Sequence, residues 1–432
     1  MKIQNKTAKL ANLSVAALLA GISVAAAEEA PVVTPGGTKV QIYGRLELNS
    51  AYEDGITGGL WSANATPNAN KDAQGRTSLS IARTRLGLNL AGPSKEGEPD
   101  LNGKFEADFA GNSGYNNFNG SSSVTADYSG APGFRVRQSY GSVKFKDIGL
   151  TLLFGMTDDL ITPIDPPSIN PSSLNGVGNL GNRRPQIRVT QALGPVEIAV
   201  AATHDRLRAN DNVAPSSPGV QGRLGAKLPA TWAGEKANIA LGIGGLFAKD
   251  EAANADDENR NKRGPSTNSI NADLSLPIID ILTLTGEFFT GQNLTRYGDG
   301  SIGLNHTSSS NPAKVKEDGI SSIGWWAALA AKLPANLSAA AGVGGENVDG
   351  DVKTTVDADG KAIDDLKESD KIPGSREANL FIFANLAYNF TSAAKLTFEY
   401  LNLATDYADK GGKKTDSGSL NRFELNFRYD FK

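Results

Sequence analysis

Five arginines recur at a spacing that could do electrostatic work. Arg83 and Arg85 lie two positions apart, as do Arg135 and Arg137, and Arg188 follows further on. In an extended chain residues i and i+2 share a face, so each pair projects to one side. Glu106 and Asp108, also two apart, fall between the two pairs. Such a group forms ordinary ion pairs along a wall, or it offers an attractive surface to passing anions. A second stretch, 157–185, carries the acids Asp158, Asp159 and Asp165 among Pro163, Pro166, Pro167, Pro171 and Pro185. Proline stiffens the chain and removes backbone donors. Leu160, Ile161, Ile164, Ile169 and Leu174 in the same stretch favour burial. A stiff loop with apolar anchors can fold inward and narrow a channel, or pack on a rim or a neighbouring subunit. In the first case its acids would stand opposite the arginines.

Other chemistry is thinly represented. The absence of cysteine excludes disulfides, thiolate metal sites and cysteine nucleophiles. His204 and His306 are the two histidines, and neither adjoins a nucleophile signature, so no enzyme is expected. Asp357, Asp359, Gly360, Asp364 and Asp365 faintly echo a calcium loop with the wrong spacing, and a solvated acidic loop accounts for them. Gly242-Ile243-Gly244-Gly245 has no following helix and is not a dinucleotide fingerprint. No cofactor and no metal centre are expected. Forty-three basic against 47 acidic residues argue against a nucleic-acid partner.

The elements that must position these residues are strands. Residues 1–27 read first as an address. Lys2, Lys6 and Lys9 precede a mostly apolar run, Leu10 to Val24, and Ala25-Ala26-Ala27 offers a cleavage site before Glu28. Cleavage would leave a more acidic chain that opens with a short segment, 28–38. A mean hydropathy of −0.30 rules out a multi-span helical membrane protein. Beyond residue 38 the pattern has period two. Val40, Ile42, Leu46 and Leu48 alternate with Gln41, Tyr43, Arg45, Glu47 and Asn49, and Phe423 to Phe431 alternate with Arg422, Glu424, Asn426, Arg428 and Asp430. Sixteen such segments can be drawn, joined by eight long and seven short links in alternation. Sorting long links to one rim and short turns to the other is a habit of transmembrane barrels. The reading is therefore all-β: a 16-stranded antiparallel transmembrane β-barrel over 39–432, with long extracellular loops, short periplasmic turns and 157–185 as its constriction loop. If the apolar face meets lipid, Arg45, Arg223, Glu47, Glu287, Glu399, Arg422 and Glu424 join the arginine group in the lumen. So many charges require a wet interior, and sixteen strands enclose one.

The sequence resembles trimeric Gram-negative outer-membrane porins. The carrying residues are Val40-Gln41-Ile42-Tyr43-Gly44-Arg45, Gly181-Asn182-Arg183-Arg184-Pro185-Gln186-Ile187-Arg188, and the last strand ending Tyr429-Asp430-Phe431. Asp158 through Arg188 is most similar to the DcaP-like porins. The resemblance implies a sixteen-stranded trimer, a third loop folded into the lumen, and passive uptake of small polar solutes. Two departures stand out. The chain ends in Lys432 with the aromatic residue penultimate, and 28–38 is too short for the coiled-coil extension that DcaP-like porins can carry.

The expected function is a passive diffusion channel of the bacterial outer membrane, a homotrimer among lipid and lipopolysaccharide, passing small polar solutes with a preference for organic anions. The rival is a barrel with a blocked lumen that serves as an anchor or adhesin, and a third reading is a soluble secreted β-protein. Net charge, −4 before cleavage, would favour cations. Exposed charges are screened beyond ~8–10 Å, however, so a local arginine ladder should decide passage.

Overall fold

The computed structural model describes residues 32–34, 36–55, 75–93, 95–111, 133–204, 213–215, 217–232, 235–252, 266–298, 321–348, 376–407 and 417–432. The leader over 1–27, the first residues of the short N-terminal segment, His306 and the acidic stretch around Asp357 to Asp365 lie outside the described residues.

Sixteen strands run up and down. They are β1 (Lys39–Glu53), β2 in two halves (Arg76–Ser80 and Arg85–Ala91), β3 (Asp100–Asp108) and β4 (Arg135–Phe145). Next come β5 (Leu150–Asp158), β6 (Arg183–Leu193), β7 (Val196–Thr203) and β8 (Gly219–Trp232). Then follow β9 (Glu235–Ala252), β10 (Ser266–Ile279), β11 (Leu282–Gln292) and β12 (Ser321–Leu333). Last are β13 (Leu337–Val348), β14 (Arg376–Asn389), β15 (Ala394–Tyr407) and β16 (Gly418–Phe431). Each pairs antiparallel with the next. β16 closes on β1, from Arg422 opposite Glu53 to Phe431 opposite Gly44. Val32–Val33 adds a short piece to the start of β1, and Val213–Pro215 one to the end of β9. The connections at one end are tight. Gly194 opens the turn from β6 to β7 with φ 64°, a conformation glycine adopts without steric cost.

The distribution of side chains is the reverse of that in a soluble protein. Ile42, Leu46, Leu48, Leu380, Ile382, Phe423, Leu425 and Phe427 are exposed on the outside. Arg45, Glu47, Asn49, Glu399, Arg422, Glu424 and Asn426, their alternates, are buried on the inside. Only a lipid surround makes an apolar exterior favourable, and closure leaves no backbone edge unpaired in it. Tyr388, Phe390, Phe427, Tyr429 and Phe431 gather near the ends of β14 and β16; the Tyr388 and Phe390 rings meet edge-on at 5.0 Å. Aromatic girdles of this kind mark the level where a barrel leaves the bilayer.

The alternation predicted an unbroken second strand; the structure interrupts it at Ile81–Thr84. The Thr84 hydroxyl takes over the ladder there, accepting the Glu47 N–H at 3.0 Å and donating to the Glu47 carbonyl at 3.2 Å. A second irregularity sits between β3 and β4. Glu106 pairs with Gln138 and Ala107 with Val136, so Arg137 is an extra residue in the ladder. Both defects lie beside the arginine group, where a bulge re-aims side chains.

Leu46 sits at the middle of β1. Its replacement by Arg is expected to cost about 2–4 kcal/mol in reversible unfolding of the lipid-folded barrel. A cost near zero would show that this face does not meet lipid.

Candidate functional site: the lumen and its third loop

The third long link begins after Asp158 and ends before Arg183, slightly inside the predicted 157–185. Its side chains lie against the inner wall. Leu174 and Val177 are fully buried, clustered with Trp326 and Ala328 of β12, Ala340 of β13, Phe381 and Phe383 of β14, Leu401 and Leu403 of β15 and Leu420 of β16. Ile161 and Leu180 pack with Leu246, Phe289, Leu294 and Tyr297. The last two belong to a short 3₁₀ turn, Leu294–Tyr297, that opens the link after β11. The Tyr297 carbonyl accepts the Gly181 N–H at 2.7 Å, and the Arg184 guanidinium lies 3.8 Å from the Tyr297 ring centroid.

A loop without regular structure must satisfy its backbone donors elsewhere. Wall side chains do this. Leu160 N–H donates to Gln221 Oε1 at 2.8 Å, Ile164 N–H to Glu287 Oε1 at 2.9 Å and Ile169 N–H to Glu399 Oε2 at 2.9 Å. Ser168 Oγ donates to Glu399 Oε1 at 2.7 Å, and Asn170 Nδ2 to Glu424 Oε1 at 2.8 Å. From the wall, Asn379 and Asn385 donate to the carbonyls of Gly176 and Pro167, each at 2.8 Å. The loop tip meets bare backbone: Gly178, at φ 108°, lies against the Trp325 carbonyl, and a Cβ there would collide with it.

The arginines line the sector of wall formed by β1, β2, β4 and β6. Arg135 makes a two-point pair with Asp108, at 2.9 and 2.7 Å, and its side chain is only 8% exposed. It is a buried wall pair rather than a channel-facing cation, and so departs from the expected ladder. Arg137 binds Glu106 at 2.8 Å and Asp108 at 2.9 Å. Arg85 reaches Glu106 only at 3.4 Å and is 24% exposed. Arg83, 19% exposed, pairs with Glu47 at 3.1 Å and donates to the Ile169 carbonyl of the loop. Arg45 shares Glu47 at 2.9 Å and faces Arg85 directly across the strands. Arg188 donates to Gln186 Oε1 at 3.0 Å and to the Asp158 carbonyl, and no carboxylate lies within ion-pair distance of it among the described residues.

The three loop acids part company. Asp158 is exposed and is held by Gln138 Nε2 at 2.9 Å, with Arg183 at 3.7 Å. Asp165 is exposed on the loop. Asp159 is buried, paired with Arg184 at 2.7 Å, and accepts the Gln221 amide at 2.7 Å and the Asn182 N–H at 2.9 Å. It clamps the base of the loop. Arg184, Gln221 and Tyr297 were not singled out in the sequence as parts of this site. A signal was present for the wall beneath the loop: Leu380-Phe381-Ile382-Phe383 breaks the alternation. A strand apolar on both faces is covered on both.

Fold and lumen together define a closed sixteen-stranded antiparallel barrel with a polar interior, a fold shared with outer-membrane porins. Residues 8–153 match the DcaP outer membrane protein family. The structure is similar to the crystal structure of the outer membrane channel DcaP of Acinetobacter baumannii, with a TM-score of 0.69 and 18% identity, covering 93% of this chain and 100% of that one. It is also similar to OmpT of Vibrio cholerae, with a TM-score of 0.54, 12% identity and 93% and 99% coverage. Salmonella typhi OmpF in complex with daunomycin follows, with a TM-score of 0.52, 10% identity and 92% and 99% coverage. No curated protein matches the sequence.

Two variants test the loop's seating. Arg184→Ala strands Asp159 without its cation in a buried site, and should cost about 3–5 kcal/mol in urea unfolding. Gly178→Val should lift the loop tip and open Trp326, now 1% exposed, to acrylamide quenching. Unchanged quenching would mean that the tip does not depend on close backbone approach.

Proposed function

We propose that the protein is a passive diffusion channel for small polar solutes, with its aperture set by the third loop and with a preference for small organic anions. The observation that carries this reading is a shortage of carboxylates on the arginine wall. Among the described residues Arg45, Arg83, Arg85, Arg135 and Arg137 share Glu47, Glu106 and Asp108, so cations outnumber anions in this group. The members with most exposure, Arg83 and Arg85, together with Arg188, hold the uncompensated charge. Asp158 and Asp165 lie on or next to the loop, so a transverse field would orient a solute with separated charges. Charges at the rims act through screened water, whereas those at a narrow passage act at short range. The arginines therefore outweigh the acidic net charge. A cavity of about 370 Å³ beside the loop is lined by Arg83, Lys332, Lys395 and Arg428, with the acids Glu47 and Asp280, so its basic residues are in excess.

The working unit in this reading is a homotrimer in lipid and lipopolysaccharide. OmpT of Vibrio cholerae has been solved in a trimer form. β3, β5 and β7 have only 9, 9 and 8 residues, against 18 in β9. A low wall of this kind is suited to shelter against a neighbouring subunit rather than open bilayer.

Purified protein in planar bilayers should give stepwise ohmic conductance. Folded trimers that never conduct would favour the anchor reading instead. In a salt gradient, Arg85→Gln with Arg188→Gln should shift the reversal potential toward cations. Arg135→Gln should leave selectivity unchanged while lowering stability, because its charge is already matched by Asp108. An equal shift from all three would mean that ion pairing does not sort the ladder.

A further inference from the structure

The wall beneath the third loop changes character toward the short turns. Ala330 of β12 lies directly opposite Ala340 of β13, and Ala387 of β14 lies opposite Thr397 of β15. These alanines share the inward face, where the rest of the wall is polar. Roofed by Pro167, Ser168 and Ile169 of the loop, they leave the cavity of about 370 Å³. Asp280 and Ile281, on its edge, form the turn from β10 to β11, so the cavity lies on the short-turn side of the loop. One strand beyond Ala387 the lining turns cationic. Lys395 of β15 and Arg428 of β16 are directly opposite in the ladder, and like charges in that position repel. The acids nearby are committed. Asp430 holds Arg428 at 2.7 Å, and Glu47 holds both Arg45 and Arg83. Asp280 accepts the Ile281 N–H at 2.9 Å. Among the described residues Lys395 has no carboxylate within ion-pair distance. Two positions along the same strand, Thr397 is 3% exposed and its hydroxyl has no hydrogen-bond partner. Buried hydroxyls are normally partnered. Both residues line the cavity, and i, i+2 spacing turns them to the same side.

We propose that this cavity binds a short-chain monocarboxylate, with its carboxylate on Lys395 and Thr397 and its hydrocarbon end on Ala330, Ala340 and Ala387. A carboxylate there accepts from the Lys395 ammonium and the Thr397 hydroxyl, and its charge relieves the repulsion between Lys395 and Arg428. The alanines supply what a hydrated inorganic anion does not use: an apolar surface, and the room that larger side chains would fill. Ala340 is two strands from Lys395, about 10 Å, and the reach of the lysine shortens that gap to the length of a small aliphatic acid. A second carboxylate on the ligand would meet alanine at the far end. It would also meet Glu399, two positions beyond Thr397 and buried. One charge and one apolar end is therefore the matching pattern. As a station for solutes on the short-turn side of the loop, the site rests on the channel reading; as a binding site it needs no conduction.

The test is fluorine NMR of trifluorobutyrate with the folded barrel in lipid nanodiscs, against empty nanodiscs as the blank. Binding should saturate. Unlabelled butyrate should displace the probe, with up to about fourfold less affinity for each methylene removed on going to propionate and acetate. Succinate should compete less well than butyrate, and butylammonium not at all. Lys395→Gln should weaken binding about tenfold, and Thr397→Val should weaken it less. Neither residue holds another side chain in place, so one variant serves if the other fails to fold. Ala387→Leu should fill the apolar end and abolish binding. Lys104→Gln, which removes a cation of β3 outside the cavity, should change nothing. Binding that does not saturate, displacement by butylammonium, acetate competing as well as butyrate, or equal losses in Lys104→Gln and Lys395→Gln would each overturn the site. In planar bilayers the same protein separates the two readings. A barrel that binds the probe with these dependences but never conducts removes the channel and leaves the site. A barrel that conducts and shows no saturable binding removes the site and leaves the channel.

Discussion

Every feature of the molecule depends on one constraint: in lipid, no backbone N–H or carbonyl can be left without a partner. Sixteen strands meet it by closing β16 onto β1. Closure then divides the side chains into two populations by simple alternation. The apolar set faces out, and the polar set has nowhere to go but the lumen. The dense charge pairing of the interior follows from that division.

The third loop faces the same constraint locally. Entering the barrel, it takes its N–H groups out of bulk water, and the wall must supply acceptors. Glu287, Glu399 and Gln221 do so for backbone, and Glu424 for the Asn170 side chain. An apolar underside, Leu174 and Val177 on Phe381, Phe383 and Trp326, supplies area burial at about 25 cal/mol per Å². Hydrogen bonds fix where the loop sits, while burial makes sitting there favourable. The lumen is therefore two-sided: β8, β9 and β11 to β16 support the loop, and β1, β2, β4 and β6 present the arginines.

Much of this was legible in the chain. Strict alternation from Phe423 to Phe431, with charges on the minor face, required a polar interior. Alternating long and short links required an up-and-down barrel. Proline and isoleucine between Asp158 and Arg183 marked a stiff, partly apolar loop. The finer site was less legible because equal residue types take unequal roles. Arg135 and Arg137 read alike at i, i+2, yet one is sealed against Asp108 and the other spans two carboxylates. Asp158 and Asp159 are adjacent, yet one is exposed and the other is buried on Arg184.

Sequence by itself determined the inside and outside of the wall, because a strand's two faces are set by residue parity and need no knowledge of distant partners. Tertiary structure decided which charges are free. That choice depends on cross-strand register, on the extra residue at Arg137 and on the break at Ile81–Thr84. A shift of one position changes which carboxylate a guanidinium can reach, and ion pairing falls away within a few ångströms. Nothing in the order of residues along the chain sets those distances. They are fixed only when strands remote in sequence are brought side by side.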